Sequence, residues 1–508
     1  MTTELELKFA VGRAFAIPDL VGAGSVSEVE PIPIQELRAT YYDTVDRRLA
    51  RWGITLRHRT GEGDHPAWTL KLPTTATAVS GVMPTARHEM EVEGEPGDIP
   101  EVLIDLVTAH VRSHPLAPAA VLATRRAGWR LLSGDGHAVA DLTSDEVTVL
   151  DGGDIRSRFS ELELEAHEAS LDDLTAVTDR LLAAGAVGAE PIPKAVRALG
   201  PTATGPPDVV VPTFGPEDPA GWAVRAALAD GLIRILRHDP GTRMGSAEDL
   251  HQLRVGVRRL RSDLRTLAPL FALDWARGLD ADLRELAARL GTVRDLDVLV
   301  GRMASAHADL AEPLGPMLAD LHDRHERART ALLEELRSDR YAQLLERLVV
   351  LARDPDLGPE SRRPSGIVLP ELARQPWTRL KKRADALVTA ERPADTDLHR
   401  TRIAAKRARY AAETAARGLD PERAAAARAF GDELGLFQDL LGRHQDAVVA
   451  SDQAHKAAEA HEGDLALIVA AGRVMEREAQ AAEDERRRVA RTWARLRRRR
   501  NRRWMTSP

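Results

Sequence analysis

Through residue 200 the chain is a series of short stretches in which charged and apolar side chains alternate. ELELKF at 4–9 sets Glu4, Glu6 and Lys8 against Leu5, Leu7 and Phe9, and similar alternation occurs at 54–59, 68–72, 87–93 and 161–165. A period of two makes each stretch a β-strand with a charged face and an apolar face. Turn-forming stretches such as TGEGDHP and DGGD separate several of them. The best helical pattern in this part is 170–184. PTATGPPDVVVPTFGPEDP (201–219), rich in proline and glycine, predicts an interdomain linker. From about 220 onward leucine and alanine recur at three- and four-residue spacing, the pattern of helices nearly throughout. A soft stretch at 353–377 interrupts them. The chain therefore reads as α+β: a strand-rich domain over 1–200, a linker over 201–219 and an all-α bundle over 220–508.

The helical part repeats itself. HQLRVGVRRLR (251–261) aligns without a gap with HRTRIAAKRAR (399–409), and LGTVRD (290–295) echoes LGRHQD (441–446). Near-equal spacing between the two motifs in each half predicts a duplicated unit, with halves at about 220–352 and 378–500. Offsets of 0, 3, 7 and 10 fall on one helix face. His251, Arg254, Arg258 and Arg261 thus form one stripe, and His399, Arg402, Lys406 and Arg409 form another. Unbalanced like charges in such a stripe cost a few tenths of a kcal/mol per pair. Two stripes in the same register suit a long polyanion gripped by arginine forks. The competing expectation is a solvated arginine face paired with Asp295, Asp297 and Asp446.

Composition narrows the classes. The chain has 508 residues, too many for one core, with 43% hydrophobic and 29% charged residues. It has no cysteine, which excludes disulfides and thiolate metal sites and fits a reducing cytoplasm. No apolar stretch approaches membrane-spanning length. The net charge is −7, yet residues 486–508 hold eleven arginines and no acid, so the rest is strongly acidic. That tail is either an anion-binding segment or a solvated helix end. Aromatic residues are 4% of the chain and none lies on the first stripe. This disfavours a base-stacking surface, and nucleic acid with it.

In the strand-rich part the charges of every stretch share one face: Arg57 and Arg59, Thr69 and Lys71, Arg87 with Glu89, Glu91 and Glu93, and Glu161, Glu163 and Glu165. Arg125 and Arg126 precede a further strand, Asp141 sits in AVADL, and Lys194 follows in IPKAVRAL. A closed antiparallel barrel of about eight strands can turn such faces inward around a small ligand and pack its apolar face against flanking helices. Mixed acids and bases suit a triphosphate with its metal, because carboxylates hold Mg²⁺ or Mn²⁺ and bases hold phosphate oxygens.

ELELKF resembles the ExExK signature of the CYTH family, the triphosphate tunnel metalloenzymes, and YYDTVDRRLARWGITLRHRTGEGDHPAWTLKLP is similar to that family at several points. HQLRVGVRRLR and HRTRIAAKRARY resemble the CHAD domain, a helical module built around histidines. The resemblance implies that Glu4, Glu6, Glu161 and Glu163 are metal ligands, with Glu165 continuing their face. Glu89 and Glu91 match a further acidic pair, metal-binding or water-orienting, and Asp141 matches an acid late in the barrel. It further implies that Lys8, Arg57, Arg59, Lys71, Arg87, Arg125, Arg126 and Lys194 grip phosphate. Of Arg125 and Arg126 only one is expected to face inward. Glu4, Glu6, Lys8, Glu89, Glu91 and Asp141 become the candidate catalytic set.

The implied reaction is hydrolysis of inorganic triphosphate or short polyphosphate, with Mg²⁺ or Mn²⁺ as cofactor. The CHAD resemblance implies binding of long-chain polyphosphate and association with polyphosphate granules in the cytoplasm. Alternatives are a binding protein without turnover, and an adenylate cyclase or thiamine triphosphatase of the same fold. His58, His65 and His88 lie near the motifs and are expected at the surface.

Overall fold

The computed structural model describes residues 2–12, 15–61, 66–74, 78–190, 192–272 and 275–506, with only the backbone of Thr2, Thr3, Arg499 and Arg500. The chain divides into two compact units, 1–208 and 209–508.

Among the described residues the first unit has nine strands: β1 (Thr2–Ala10), β2 (Val26–Asp43), β3 (Thr55–Thr60), β4 (Ala67–Pro73), β5 (Thr85–Glu93), β6 (Ala117–Ser133), β7 (Ala138–Asp151), β8 (Asp154–Ala166) and β9 (Val187–Gly188). They pair antiparallel in the order β5-β4-β3-β2-β6-β7-β8-β1-β9, and β5 also pairs with β1, so eight strands close into a ring of hydrogen bonds. Strands were expected at the five alternating stretches. The long β2 was not, because its polar and apolar positions do not alternate cleanly and register shifts interrupt it. Arg125 and Arg126 lie inside β6 rather than before a strand.

The first unit's helices are α1 (Arg48–Arg51), α2 (Glu101–Val111), α3 (Leu171–Ala183) and α4 (Lys194–Leu199). α3 begins at a capping box in which Ser170 and Asp173 satisfy each other's backbone. Its Leu174, Val177 and Leu181 cover Leu7, Phe9, Leu162 and Leu164, the apolar faces of β1 and β8. Outward apolar packing is what leaves Glu4, Glu6 and Lys8 on the inner face. At one end of the ring, Ala195 and Ala198 of α4 pack on Tyr41, Leu122, Val147 and Val149.

The second unit is helical: α5 (Gly221–Arg243), α6 (Ala247–Thr266), α7 (Trp275–Ala306), α8 (Gly315–Arg337), α9 (Asp339–Arg353), α10 (Ser365–Thr389), α11 (Asp395–Ala416), α12 (Pro421–Ala460) and α13 (Leu465–Leu496). The soft stretch expected over 353–377 is shorter, because α10 starts at Ser365 and continues through Pro370 and Pro376. The motifs of the internal repeat fall on α6 and α7 in one half and on α11 and α12 in the other. The arginine-rich tail forms the end of α13 and a 3₁₀ turn, Arg499–Met505, that buries Trp504. Several of its arginines pair with acids: Arg486 with Asp395 (2.7 Å), Arg495 with Glu433 (3.1 Å) and Arg497 with Asp385 (3.6 Å).

Candidate functional sites

A cavity of about 930 Å³ opens between the charged strand faces. β1 contributes Glu4, Glu6 and Lys8, β3 Arg57 and Arg59, β4 Lys71, and β5 Arg87, Glu89 and Glu91. β6 contributes Arg126, β8 Glu163 and Glu165, and α4 Lys194. Thirteen of the sixteen residues that the resemblance assigns to the site therefore line one space.

The acids are crowded. Glu6 hydrogen-bonds to Glu163; burial, then the Glu163 charge, pushes Glu6 up to about 7 despite Lys8 at 2.8 Å. Burial, then Glu4, raises Glu165. Burial would also raise Glu4, but Lys71 at 2.6 Å outweighs it and holds Glu4 below the usual range. Lys8 and Lys194 both bind Glu163, and those two charges overcome its burial and hold it well below the usual range. Among the described residues no three carboxylates or imidazoles meet at metal-ligand spacing, and the lysines hold the acids instead. The donor set still fits a hard divalent cation: facing like-charged carboxylates at Glu6–Glu163 and Glu4–Glu165 are oxygen-only ligands whose repulsion a cation relieves.

The bases are crowded too. Burial, then Arg57 and Arg126, pushes Arg59 down to about 9. Arg57 Nε is buried without a hydrogen-bond partner.

Three expected residues do not line the cavity. Arg125 points outward, its side chain 49% exposed, near Glu36 and Glu146, while Arg126 faces in. Glu161 is buried on the same strand face as Glu163, holding Arg197 (2.5 Å), Lys8 (3.3 Å) and Lys194 (3.6 Å). Asp141 is taken by Arg130 (2.9 Å) and His167 (3.1 Å); burial would raise it, but these cations hold it at about 2. The acid that works with the cavity's bases is Asp145, fully buried, with two 2.8 Å bonds from Arg126 and Lys194 at 2.9 Å. Asp141 and Asp145 share strand parity, so either fitted the sequence. Tyr41, also missed, lines the cavity; burial would raise its phenol, but Arg57 outweighs this and lowers it. Its neighbour Asp43 in the YYDT stretch is structural, accepting the backbone N–H groups of Leu49 (2.9 Å) and Ala50 (3.0 Å). His58 is not at the surface: it is buried edge-on against Trp68 and bonds the Gly94 carbonyl at 3.0 Å. His88 is half-buried, and His65 lies outside the described residues.

In the second unit the two stripes face each other. α6 and α11 are joined by Arg258 to Tyr410 (3.2 Å) and Arg259 to Glu413 (2.8 Å). The repeat uses one device twice: Arg254 lies against Gly291 and Arg402 against Gly442, where a Cβ would stand 3.6 and 3.4 Å from the guanidinium. Arg254 also pairs with Asp295 at 3.1 Å. Lys406 sits among Arg258, Arg402 and Arg254. His251 lies near Arg294, and His399 bonds Gln445 at 3.1 Å. Arg261 and Arg409 end in ion pairs with Asp280 (3.0 Å) and Glu413 (2.8 Å), and Glu413 also holds Arg259 of α6.

Fold and site define a protein with a charged cavity inside a closed antiparallel ring, joined to a helical unit with a repeated arginine motif. The CYTH domain model matches residues 2–195 and the CHAD domain model residues 226–455. The chain belongs to the family of proteins that join a CYTH domain to a CHAD domain. An uncharacterized protein of Mycobacterium tuberculosis (strain CDC 1551 / Oshkosh) is 34% identical over 477 residues, 88% of this chain and 87% of the relative. Among solved structures, PptA from Streptomyces chartreusis is 23% identical with TM-score 0.45, covering 54% of this chain and 99% of its own. The CHAD domain from the plant Ricinus communis is 27% identical with TM-score 0.46, covering 57% and 95%. The CYTH family includes triphosphatases and cyclases, and its members generally depend on a divalent metal. Among the described residues no helix is long and apolar enough to cross a membrane.

Proposed function

We propose that the CYTH domain hydrolyses inorganic triphosphate or a short polyphosphate, and that the CHAD domain binds polyphosphate. The observation that carries the first reading is that the cavity holds two self-repelling sets, facing carboxylates and crowded guanidiniums. A triphosphate accompanied by Mg²⁺ or Mn²⁺ relieves both. Glu4, Glu6, Glu163 and Glu165 would hold the cation, which supplies charge neutralisation on phosphate oxygens and a polarised water. Arg57, Arg59, Lys71, Arg87 and Arg126 bind and orient the phosphates, and stabilise charge on the transferred phosphoryl group. Lys8 and Lys194, fixed by Glu161, Glu163 and Asp145, set the positions of the acids around them. Glu89 and Glu91, which line the same cavity, would orient the attacking water. With triphosphate, that water forms the new P–O bond as the anhydride P–O bond breaks; diphosphate leaves, and the proton lost by the water passes to the released phosphates or to solvent.

The test is phosphate release from inorganic triphosphate with Mg²⁺ or Mn²⁺. The Glu4→Gln/Glu6→Gln variant is expected to lose at least about 100-fold in kcat, the scale of one lost electrostatic element. Equal activity in both proteins removes the site from this cavity. No turnover in the native protein, with retained polyphosphate affinity, establishes a binding protein. Cyclic AMP from ATP establishes a cyclase.

A further inference from the structure

The aligned stripes differ in one respect that bears on charge: Arg258 of the first half is matched by Lys406 in the second. Arginine stays protonated wherever it is placed, whereas a buried lysine can lose its proton. Lys406 is the residue in the middle of the facing stripes, and it makes no hydrogen bond or ion pair with any described residue. From α6 it is faced by Arg254 and Arg258, with His251 one turn away; from its own helix α11 by Arg402, with His399 beyond; and from α12 by Asp446. α7 adds Arg294, beside His251, and Asp295, already held by Arg254. Asp446 is the acid that acts on Lys406, below burial and the three arginines in weight, and it is also drawn on by Arg402 and Arg302. Arg402 Nε is buried without a partner, so the cluster has a donor in excess as well as a charge in excess.

We infer that Lys406 takes up a proton when phosphate oxygens are bound by Arg254, Arg258 and Arg402, which makes anion binding by the CHAD domain pH-dependent. The inference rests on the reading of that domain as a polyphosphate binder. Its physical basis is differential charge stabilisation. In the free protein, burial and then Arg258, Arg402 and Arg254 hold Lys406 down to about 6, so the amine is mostly neutral at pH 7. An anion in contact with all four groups reverses the sign of the local field and favours the ammonium form. Binding then requires one proton above pH 6. The affinity contributed by Lys406 is complete below pH 6 and falls by up to tenfold per pH unit above it, until the raised value of the bound state is reached.

The experiment titrates the full chain with long-chain polyphosphate at pH 6, 7 and 8, at fixed ionic strength and with a chelator present to prevent turnover. Calorimetry at pH 7 in two buffers of different ionisation heat counts the protons. The native protein is expected to weaken steadily from pH 6 to 8 and to take up close to one proton at pH 7. Lys406→Arg, which restores the residue of the other half, is expected to bind with a flat pH profile and no uptake. Lys406→Met is expected to be flat, at an affinity no higher than the native protein has at pH 8. A His251→Gln/His399→Gln variant is expected to keep the native slope. A native profile without slope or proton uptake overturns the inference, and so does a slope that survives in Lys406→Arg or disappears in the histidine variant. Absence of polyphosphate binding at every pH, by the native protein and all variants, overturns instead the reading of the domain on which the inference rests.

Discussion

At the residue scale, the difference between adjacent arginines decides which one grips a ligand. Arg125 and Arg126 are chemically the same, but a strand sends neighbours to opposite faces. Arg126 is paired in register with Asp145 and held by it, while Arg125 meets solvent. Arg126→Ala is expected to lower kcat/KM for triphosphate by about 100-fold or more, whereas Arg125→Ala leaves it close to native. Equal losses in steady-state phosphate release would mean that β6 is shifted by one residue. Parity within a strand was readable from the sequence, since Glu4, Glu6 and Lys8 emerge on the face their spacing requires. The choice between Asp141 and Asp145 was not. Both have that parity, and the decision lies in which bases stand opposite: Arg130 and His167 capture the first, Arg126 and Lys194 the second. Those pairings depend on the register of β6 against β7 and on α4, which is distant in sequence from β7.

At the element scale, β1, β8 and α3 were legible because period and capping agree with their packing. α10 was not, since two prolines inside twelve residues read as a break. Pro370 cannot donate to the Gly366 carbonyl four residues earlier. The structure resolves this with a side chain from another helix: Arg423 Nη1 donates to the Gly366 carbonyl at 3.2 Å, and Nη2 to the Trp504 carbonyl at 3.0 Å. One guanidinium thus replaces the bond lost at Pro370 and fastens the C-terminal turn. Arg423→Ala should destabilise the protein by about 1–3 kcal/mol, the cost of leaving such carbonyls unsatisfied. Chemical denaturation would register this as a lower midpoint with an unchanged slope. A midpoint equal to the native one would show that water satisfies those carbonyls as well as Arg423 does.

At the scale of the whole molecule, the question is where one unit stops. Proline and glycine mark 201–219 as a linker, but composition does not register a single buried ion pair. Asp208 is buried, accepts from Trp52 Nε1 at 2.8 Å and is bound by the fully buried Arg112 guanidinium. Burial would raise the Asp208 carboxyl; Arg112 outweighs this and lowers it. Ala203 joins Ala50 and Val196 in a small core, so the chain past residue 200 still belongs to the first unit. A fragment ending at residue 208 keeps these contacts, and one ending at residue 200 removes the carboxylate from beside a guanidinium that stays buried. Breaking one side of a buried pair costs about 3–5 kcal/mol. The shorter fragment should therefore melt well below the longer one, and Asp208→Asn in the longer fragment should recover part of the same loss. The carboxylate's contribution is present above its unfolded pKa and disappears as pH falls through the lowered folded value. The gap between the Asp208→Asn and native fragments should then close on acidification from pH 6 toward pH 3. If the two fragments melted together at neutral pH, Asp208 would be a passenger and the first unit would end where composition places it.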